Sequence, residues 1–295
     1  MRALRSCAWN SRSLLPALAS VKHVEMADST HYVIRGGLEG RERLRVLGRV
    51  MRTSSMSLFD RLGLRDGLTC LDVGCGGGDA TLELARRVAP AGRVVGVDID
   101  EAKLQIARAE AAEQGVPNVE FRLSDIREGN VLGTFDVVYA RFLLTHLNDP
   151  ASVVTAFYRH LRPGGRIGLE DIDFSGYFTY PESKAFRRYH DLYCATVAQR
   201  GGDPNVGPRL PVLLTRGGFE EVGVGIVQPV ATEGEAKLMN ALTMENIAPA
   251  VLADRLASQQ EIDEVVRELY EFAADPNTVA GTPRVVQAWG RRPTA

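Results

Sequence analysis

From Leu68 onward, short apolar runs of strand length alternate with segments whose apolar residues recur at helical spacing. Runs rich in Val, Leu and Ile predict strands over 69–73, 93–98, 118–123, 134–139 and 165–172, and the i, i+3, i+4 pattern predicts helices over 79–88, 101–114 and 150–161. Such alternation builds a parallel sheet covered by helices on both faces, with right-handed crossovers. Ahead of this region, Leu44, Leu47, Val50 and Met51, then Met56, Leu58, Phe59 and Leu62, predict two short helices between Gly40 and Leu62. Behind it the pattern changes. An aromatic-rich amphipathic helix is expected over Pro181–Arg200, a last core helix over Leu210–Gly217, a strand over Glu221–Val230, and three helices over 236–242, 244–257 and 259–272.

The junctions carry the chemistry. The first strand runs into Gly74-Cys75-Gly76-Gly77-Gly78-Asp79, where the backbone must turn sharply into a helix. Glycine tolerates positive φ there and lets a ligand approach the backbone. The second strand ends in Asp98, a carboxylate placed to accept hydrogen bonds from both hydroxyls of a ribose. This βαβ half predicts an adenosine-containing cofactor. Dinucleotide sites space their glycines G-x-G-x-x-G around a pyrophosphate, whereas Gly74, Gly76 and Gly78 are spaced G-x-G-x-G, with Asp72 and Asp79 close by. Two acids would repel a pyrophosphate but suit a ligand with a positive end, such as the ammonium and sulfonium of S-adenosylmethionine.

With these residues the sequence resembles the class I S-adenosylmethionine-dependent methyltransferases from about Leu68 to Asp173. Ser124-Asp125-Ile126 matches that family's adenine-contacting segment, Phe135-Asp136-Val137-Val138-Tyr139-Ala140 its fourth strand, and Leu161-Arg162-Pro163-Gly164-Gly165-Arg166 the turn into its fifth. Phe142-Leu143-Leu144-Thr145-His146-Leu147 is similar to the F-x-x-x-H-L segment, carried on a helix after strand four, of small-molecule methyltransferases grouped with ubiquinone and menaquinone biosynthesis. The resemblance implies an α/β fold, a Rossmann-like, doubly wound, seven-stranded mixed sheet, closed by an antiparallel strand for which Arg284–Trp289 is the candidate. It implies S-adenosyl-L-methionine as cofactor, with Asp72, Gly74, Cys75, Gly76, Asp98, Ile99, Ser124, Asp125, Ile126 and Arg141 around it. In related enzymes an N-terminal aromatic or arginine often folds over the cofactor, which adds Tyr32 and Arg35 as candidates; the competing reading makes them a surface aromatic and a solvated charge.

On this reading residues 26–295 form a single methyltransferase domain, with a core of about 66–174, 208–230 and 283–292. A helical cap of about 31–62, 181–202 and 233–274 roofs the substrate pocket, or alternatively supplies a homodimer surface. Methyl transfer from a sulfonium displaces an already activated group, so alignment and exclusion of water supply much of the acceleration. A phenol or acidic carbon also benefits from a base with a pKa near the working pH. His146 is the candidate base, against a reading in which it only braces the pocket. The Arg141 guanidinium suits an acidic or carbonyl-bearing acceptor. Alternation along Glu170-Asp171-Ile172-Asp173 predicts that one of the two aspartates faces the pocket. Tyr177, Phe178, Tyr180, His190 and Tyr193 are candidates for an aromatic wall.

Composition narrows the partners. With 295 residues, 45% hydrophobic and a formal net charge of -2, the chain has an ordinary globular composition and no basic field for a polyanion. A small-molecule methyl acceptor is expected, with no nucleic acid and no membrane partner. Cys7, Cys70, Cys75 and Cys194 are scattered, which suggests neither a disulfide framework nor a metal site and makes a cytoplasmic location the default. Residues 1–25 carry Arg2, Arg5, Arg12 and Lys22 ahead of Met26, as a transit peptide does; a mis-assigned start, with Met26 as the true one, or a disordered extension is the favoured expectation. The functional reading is therefore an enzyme that methylates oxygen, nitrogen or carbon of a small organic molecule. A non-catalytic S-adenosylmethionine-binding subunit and, further off, a nicotinamide-dependent oxidoreductase are the alternatives.

Overall fold

A computed structural model describes residues 37–129 and 132–294; the 1–25 segment, Tyr32 and Arg35 lie outside the described residues. Helix α1 (Gly37–Arg61) is followed by β1 (Thr69–Val73), α2 (Asp79–Val88), β2 (Arg93–Asp98), α3 (Glu101–Glu113), β3 (Val119–Leu123), β4 (Phe135–Arg141), α4 (Pro150–His160) and β5 (Leu161–Asp173). The chain continues through β6 (Phe178–Tyr180), α5 (Lys184–Gln199), α6 (Leu210–Arg216), β7 (Glu220–Val227) and β8 (Val230–Ala231). It closes with α7 (Glu235–Ala253), α8 (Gln259–Ala274), β9 (Val279–Gly281) and β10 (Arg284–Arg291). Side-chain caps fix several helix starts: Asp100 accepts from the N–H groups of Ala102 and Lys103, and Ser183 from that of Phe186.

The main sheet has the order β3-β2-β1-β4-β5-β10-β7. Strands β1 to β5 are parallel, while β10 runs antiparallel to both β5 and β7. The order reverses between β1 and β4, and ligands of doubly wound sheets bind at that switch point, outside the carboxyl ends of the strands. Alternation along β1 sends Cys70 and Asp72 to one face and Leu71 and Val73 to the other. On the first face, Leu58, Phe59, Leu84 and Leu104 from α1, α2 and α3 pack on Cys70, Val94 and Tyr139. On the second, Val153 and Phe157 of α4 and Leu214 of α6 pack on Leu71, Val138 and Ile167. A third cluster joins α5, α7 and α8 to Ile172 and Phe174, at the carboxyl end of β5, and so forms a cap beside the switch point.

Two features differ from the sequence pattern. The region before β1 is one 25-residue helix rather than two short ones. Its buried positions, Val46, Met51, Ser55, Leu58 and Phe59, keep one helical phase through the polar stretch, and Ser54 Oγ donates to the Met51 carbonyl instead of breaking the helix. Likewise 235–253 is a single helix that contains Pro249, and Thr243 Oγ1 donates back to Met239 O at 2.6 Å. A small sheet, β6-β9-β8, is an element the pattern did not predict, because strands of two or three residues carry no readable period.

Candidate active site

The turn after β1 uses glycine for the reason expected. Gly74 has φ +72° and Gly78, at the start of α2, φ +86°; a Cβ on Gly78 would also lie 3.0 Å from Ala107 and 3.1 Å from a Phe121 ring carbon. The N–H groups of Gly74 and Cys75 donate to Val97 O at 2.8 and 3.0 Å, which binds the turn to β2. Cys75 is buried in the core cluster of this face, and burial pushes its thiol well above its usual range, so its side chain packs rather than reacts. The Asp98 carboxylate receives Gly76 N–H at 2.9 Å on one oxygen and Asp100 N–H at 3.0 Å on the other. These two bonds aim the carboxylate and leave each oxygen a further acceptor position. Beside it, Ile99 is 56% exposed, an apolar platform on the surface. Ser124 N–H donates to Asp98 O at 3.0 Å, which draws the segment after β3 to the same edge. There Asp125 caps the turn Ile126–Glu128 and pairs with Arg127 at 2.6 Å, while Ile126 is buried. The pair holds the Asp125 carboxyl below its usual pKa.

Sheet register explains a second set of residues. Asp72 lies opposite Tyr139 across β1 and β4, Arg141 opposite Glu170 across β4 and β5, and Glu170 opposite Gln287 across β5 and β10. All five side chains therefore point to the α1 face. Glu170, 1% exposed, accepts from Ser55 Oγ at 2.7 Å, from Gln287 Nε2 at 2.7 Å, and from the Tyr139 hydroxyl. Gln287 Nε2 also reaches Ser54 O at 3.0 Å. Arg141 Nη1 lies 3.3 Å from Ser55 Oγ. Burial opposes the charge of Arg141, but Tyr139, Glu170, Asp79 and Asp72 outweigh it and keep the guanidinium protonated. Asp72 accepts from Thr81 Oγ1 at 2.6 Å; its burial pushes the pKa up to about 6 despite that bond and Arg141. A cleft between α1 and α2 is lined by Asp79 and Arg141 together with Ser55 and Phe59.

The carboxylate expected from β5 is thus a different one. Glu170, not an aspartate, joins the Arg141 side, while Asp171 turns to the other face and accepts the N–H groups of Leu144 (2.8 Å), Thr145 (3.2 Å) and Ile172 (2.9 Å). Burial pushes Asp171 up to about 7 in spite of these three donors. It fixes the short turn Leu144–His146, which is a single 3-10 turn and not the expected helix. Phe142, just before it, is held at φ +54° with its N–H on Glu170 O at 2.8 Å, a strained conformation for an aromatic residue and one that clusters at functional sites. Burial first, and then the charges of Lys103 and Arg43, push His146 down to about 3. In the aromatic set, Tyr193 stacks on Phe174 at 4.1 Å and His190 on Tyr177 at 4.7 Å, whereas Phe178 and Tyr180 are exposed. The Ser55, Tyr139 and Gln287 members of the network were missed from sequence. Tyr139 and Arg141 are two apart on one strand, which was a readable signal; Ser55 and Gln287 meet them only through tertiary register.

Residues 64–203 match the profile of a family described as "Methyltransferase domain". The nocamycin O-methyltransferase of Saccharothrix syringae is 42% identical over 119 residues, 40% of this chain and 42% of that protein. The demethylmenaquinone methyltransferase of Lactococcus lactis is 38% identical over 143 residues, 46% of this chain and 52% of that protein. The chain therefore matches about half the length of these relatives. In three dimensions a putative methyltransferase from Bacillus halodurans superposes with a TM-score of 0.54 at 23% identity, covering 81% of this chain and 98% of that one, a likeness of fold. Residues 64–203 are a class I S-adenosylmethionine-dependent methyltransferase domain. The cofactor of that family is S-adenosylmethionine, and the residues present fit it: the Asp98 carboxylate keeps acceptor positions open beside a glycine turn, with the acids Asp72 and Asp79 close by.

Proposed function

We propose that this chain methylates a small organic molecule, with S-adenosylmethionine as donor and S-adenosylhomocysteine as product. The observation that carries the reading is the Asp98 carboxylate, aimed by two backbone N–H groups at the strand ends where the order reverses, beside a glycine turn flanked by acids. When bound, the cofactor would supply a methyl group on a cationic sulfur, already activated for displacement. The chain's own residues would hold and orient. Gly74 and Gly76 expose backbone, Asp98 takes ribose hydroxyls, Ile99 and Ile126 flank the adenine, and Asp72 and Asp79 balance positive charge. Arg141 takes its place at the methyl-accepting end through Ser55 and the Glu170 network, and the cap of α5, α7 and α8 excludes water. The names of the relatives, an O-methyltransferase and a demethylmenaquinone methyltransferase, support a small acceptor.

The test is calorimetric titration of the full chain with S-adenosylmethionine, S-adenosylhomocysteine and NADH. Both adenosyl ligands are expected to bind and NADH is not. Asp98→Ala should weaken the adenosyl ligands by about 1–3 kcal/mol, as expected for lost hydrogen bonds to a charged group. NADH binding alone would overturn the reading, and unchanged affinity in Asp98→Ala would overturn the placement of the ribose.

A further inference from the structure

The cleft between α1 and α2 has a volume of about 460 Å³ and reaches Arg141 at the carboxyl end of β4. That volume lies within the usual range of small-molecule sites. The other arginines that line it are already paired: Arg45 with Glu110, Arg49 with Glu235, and Arg52 and Arg86 with Glu83. Met56, Phe59 and Leu82 give the cleft apolar surface. Arg141 stands apart from its neighbours. Glu170, Asp79 and Asp72 act on it through charge alone, and among the described residues its one hydrogen bond runs from Nη1 to Ser55 Oγ at 3.3 Å.

Ser55 can accept from Arg141 because of Glu170. A hydroxyl has one proton to donate, and Ser55 gives it to Glu170 Oε2 at 2.7 Å, so a lone pair is left for Arg141 Nη1. Glu170 is itself fixed. Gln287 Nε2 holds its Oε1 at 2.7 Å while the same nitrogen reaches Ser54 O at 3.0 Å, and the Tyr139 hydroxyl donates to its Oε2. Ser55, Tyr139, Glu170 and Gln287 are all buried, which makes this chain of bonds rigid. With Nη1 engaged, the Nε and Nη2 edge of the guanidinium keeps parallel N–H groups without a hydrogen-bond partner among the described residues, on a side chain that lines the cleft. That edge matches the two oxygens of a carboxylate.

We propose that the methyl acceptor is a carboxylic acid that enters by the cleft between α1 and α2, that the Nε and Nη2 edge of Arg141 binds its carboxylate, and that Glu170 is the positioning residue that sets this edge through Ser55. This assignment rests on the methyltransferase reading and names the substrate class for that site. Ala140, one residue before Arg141, pairs with Val73 at the end of β1, directly before the glycine turn. A carboxylate held by Arg141 therefore keeps the rest of the acceptor near the strand ends where the cofactor is placed. Met56 and Phe59 suit an apolar body, so an aryl or branched-alkyl carboxylate fits both the charged edge and the wall. Asp72 and Asp79 remain for the positive charges of the cofactor.

The test uses the full chain saturated with S-adenosylhomocysteine and titrated with carboxylates against their primary amides: salicylate, 3,4-dihydroxybenzoate and 4-hydroxycinnamate. The wild type is expected to bind at least one carboxylate tenfold or more tightly than its amide. Arg141→Gln should reduce that preference below twofold, and Arg141→Lys, which keeps the charge but not the paired donors, should retain part of it. Glu170→Gln keeps the shape of the side chain. Its new amide can accept from Gln287 only by turning its nitrogen to Ser55, which reverses the Ser55 hydroxyl and removes the acceptor for Arg141; the preference should fall at least threefold. A purely structural Glu170 would lower Tm and leave the ratio of carboxylate to amide affinity unchanged. Lack of preference in all three pairs, its survival in Arg141→Gln, or an unchanged ratio in Glu170→Gln overturns the proposal. So does a tenfold loss of S-adenosylhomocysteine affinity in Arg141→Gln with no loss for 5′-methylthioadenosine, which lacks the amino-acid end; the guanidinium would then belong to the methionine carboxylate. Failure of the wild type to bind S-adenosylhomocysteine would remove the methyltransferase reading and this inference with it, whereas binding without carboxylate preference removes this inference alone.

Discussion

Asp72 sits opposite Tyr139, under Thr81, with a pKa raised by burial to about 6. A ligand with a positive end binds best to its ionised form, so affinity is full above pH 6 and falls below it. The slope is about tenfold per pH unit once the carboxyl is protonated, from linkage of one proton to binding. Titration of S-adenosylhomocysteine from pH 8 to pH 5 is expected to show this decline, and Asp72→Asn to weaken binding at pH 8 while flattening the profile. A wild-type affinity independent of pH over that range would remove Asp72 from contact with the ligand. His146 makes the opposite kind of prediction. With a pKa near 3 it is neutral throughout the physiological range, a poor match to the near-neutral value that general-base catalysis favours. The pH–rate profile should therefore show no limb near pH 6.5; such a limb, lost in His146→Gln, would establish the histidine as the base. The sequence placed His146 after β4, at the carboxyl ends of the strands, but its burial and the charges of Lys103 and Arg43, more than forty positions away, had no local sign.

At the level of elements, α1 decides how the sheet is covered. Its C-terminal end lies so close to β5 that a Cβ on Gly168 would come within 2.6 Å of Cδ1 of Leu62, the residue directly after the helix. Gly168→Ala should cost about 1–3 kcal/mol through overpacking of a rigid interface, read as a lower denaturation midpoint; an unchanged midpoint would mean that the helix docks more loosely. The first half of α1 is tied to α3 by Arg41 and Arg45, both bonded to Glu110, and the Arg41 hydrogen bond above all pulls that carboxyl down to about 2. A depressed carboxylate contributes stability above its unfolded pKa of about 4.3, and that contribution is lost as pH falls from there toward 2. For a partly exposed ion pair the amount is about 1 kcal/mol or less. Comparing urea midpoints at pH 6 and pH 3 should show a smaller drop for Glu110→Gln than for the wild type. Elements with a strong period, β1 to β5 and the helices between them, were legible to within a few residues, because apolar phase and glycine turns agree there. The sequence pattern divides α1 and α7 in two because Thr and Ser interrupt the apolar run, whereas in the fold these residues bond back to carbonyls or point to polar partners.

Across the described residues, the turns at the carboxyl ends of β1 to β3 were readable and the cap was not. Gly74, Asp98 and Asp125 follow strands directly, so their positions come from local sequence. Thr243 of α7 and the Arg43 side chain that donates to it lie 200 residues apart, and the cap core is a cluster separate from those on the two sheet faces. Regions with their own core can open separately, so amides of α7 and α8 should exchange with deuterium at lower free energy than those of β1 and β4; uniform protection would show one cooperative unit. The placement of β10 has a further consequence. It lies between β5 and β7 in the sheet, and β7 pairs with no other described strand, yet β10 follows every other described strand in the chain. During synthesis β5 must wait, its edge unpaired, while more than a hundred residues emerge, and Glu170 gains its amide partner only when Gln287 arrives. An open edge is a template for the wrong neighbour, and late long-range pairing slows folding. Until β10 emerges the growing polypeptide carries an open β5 edge that invites aggregation, and a holdase that shields an extended strand edge would act in that interval.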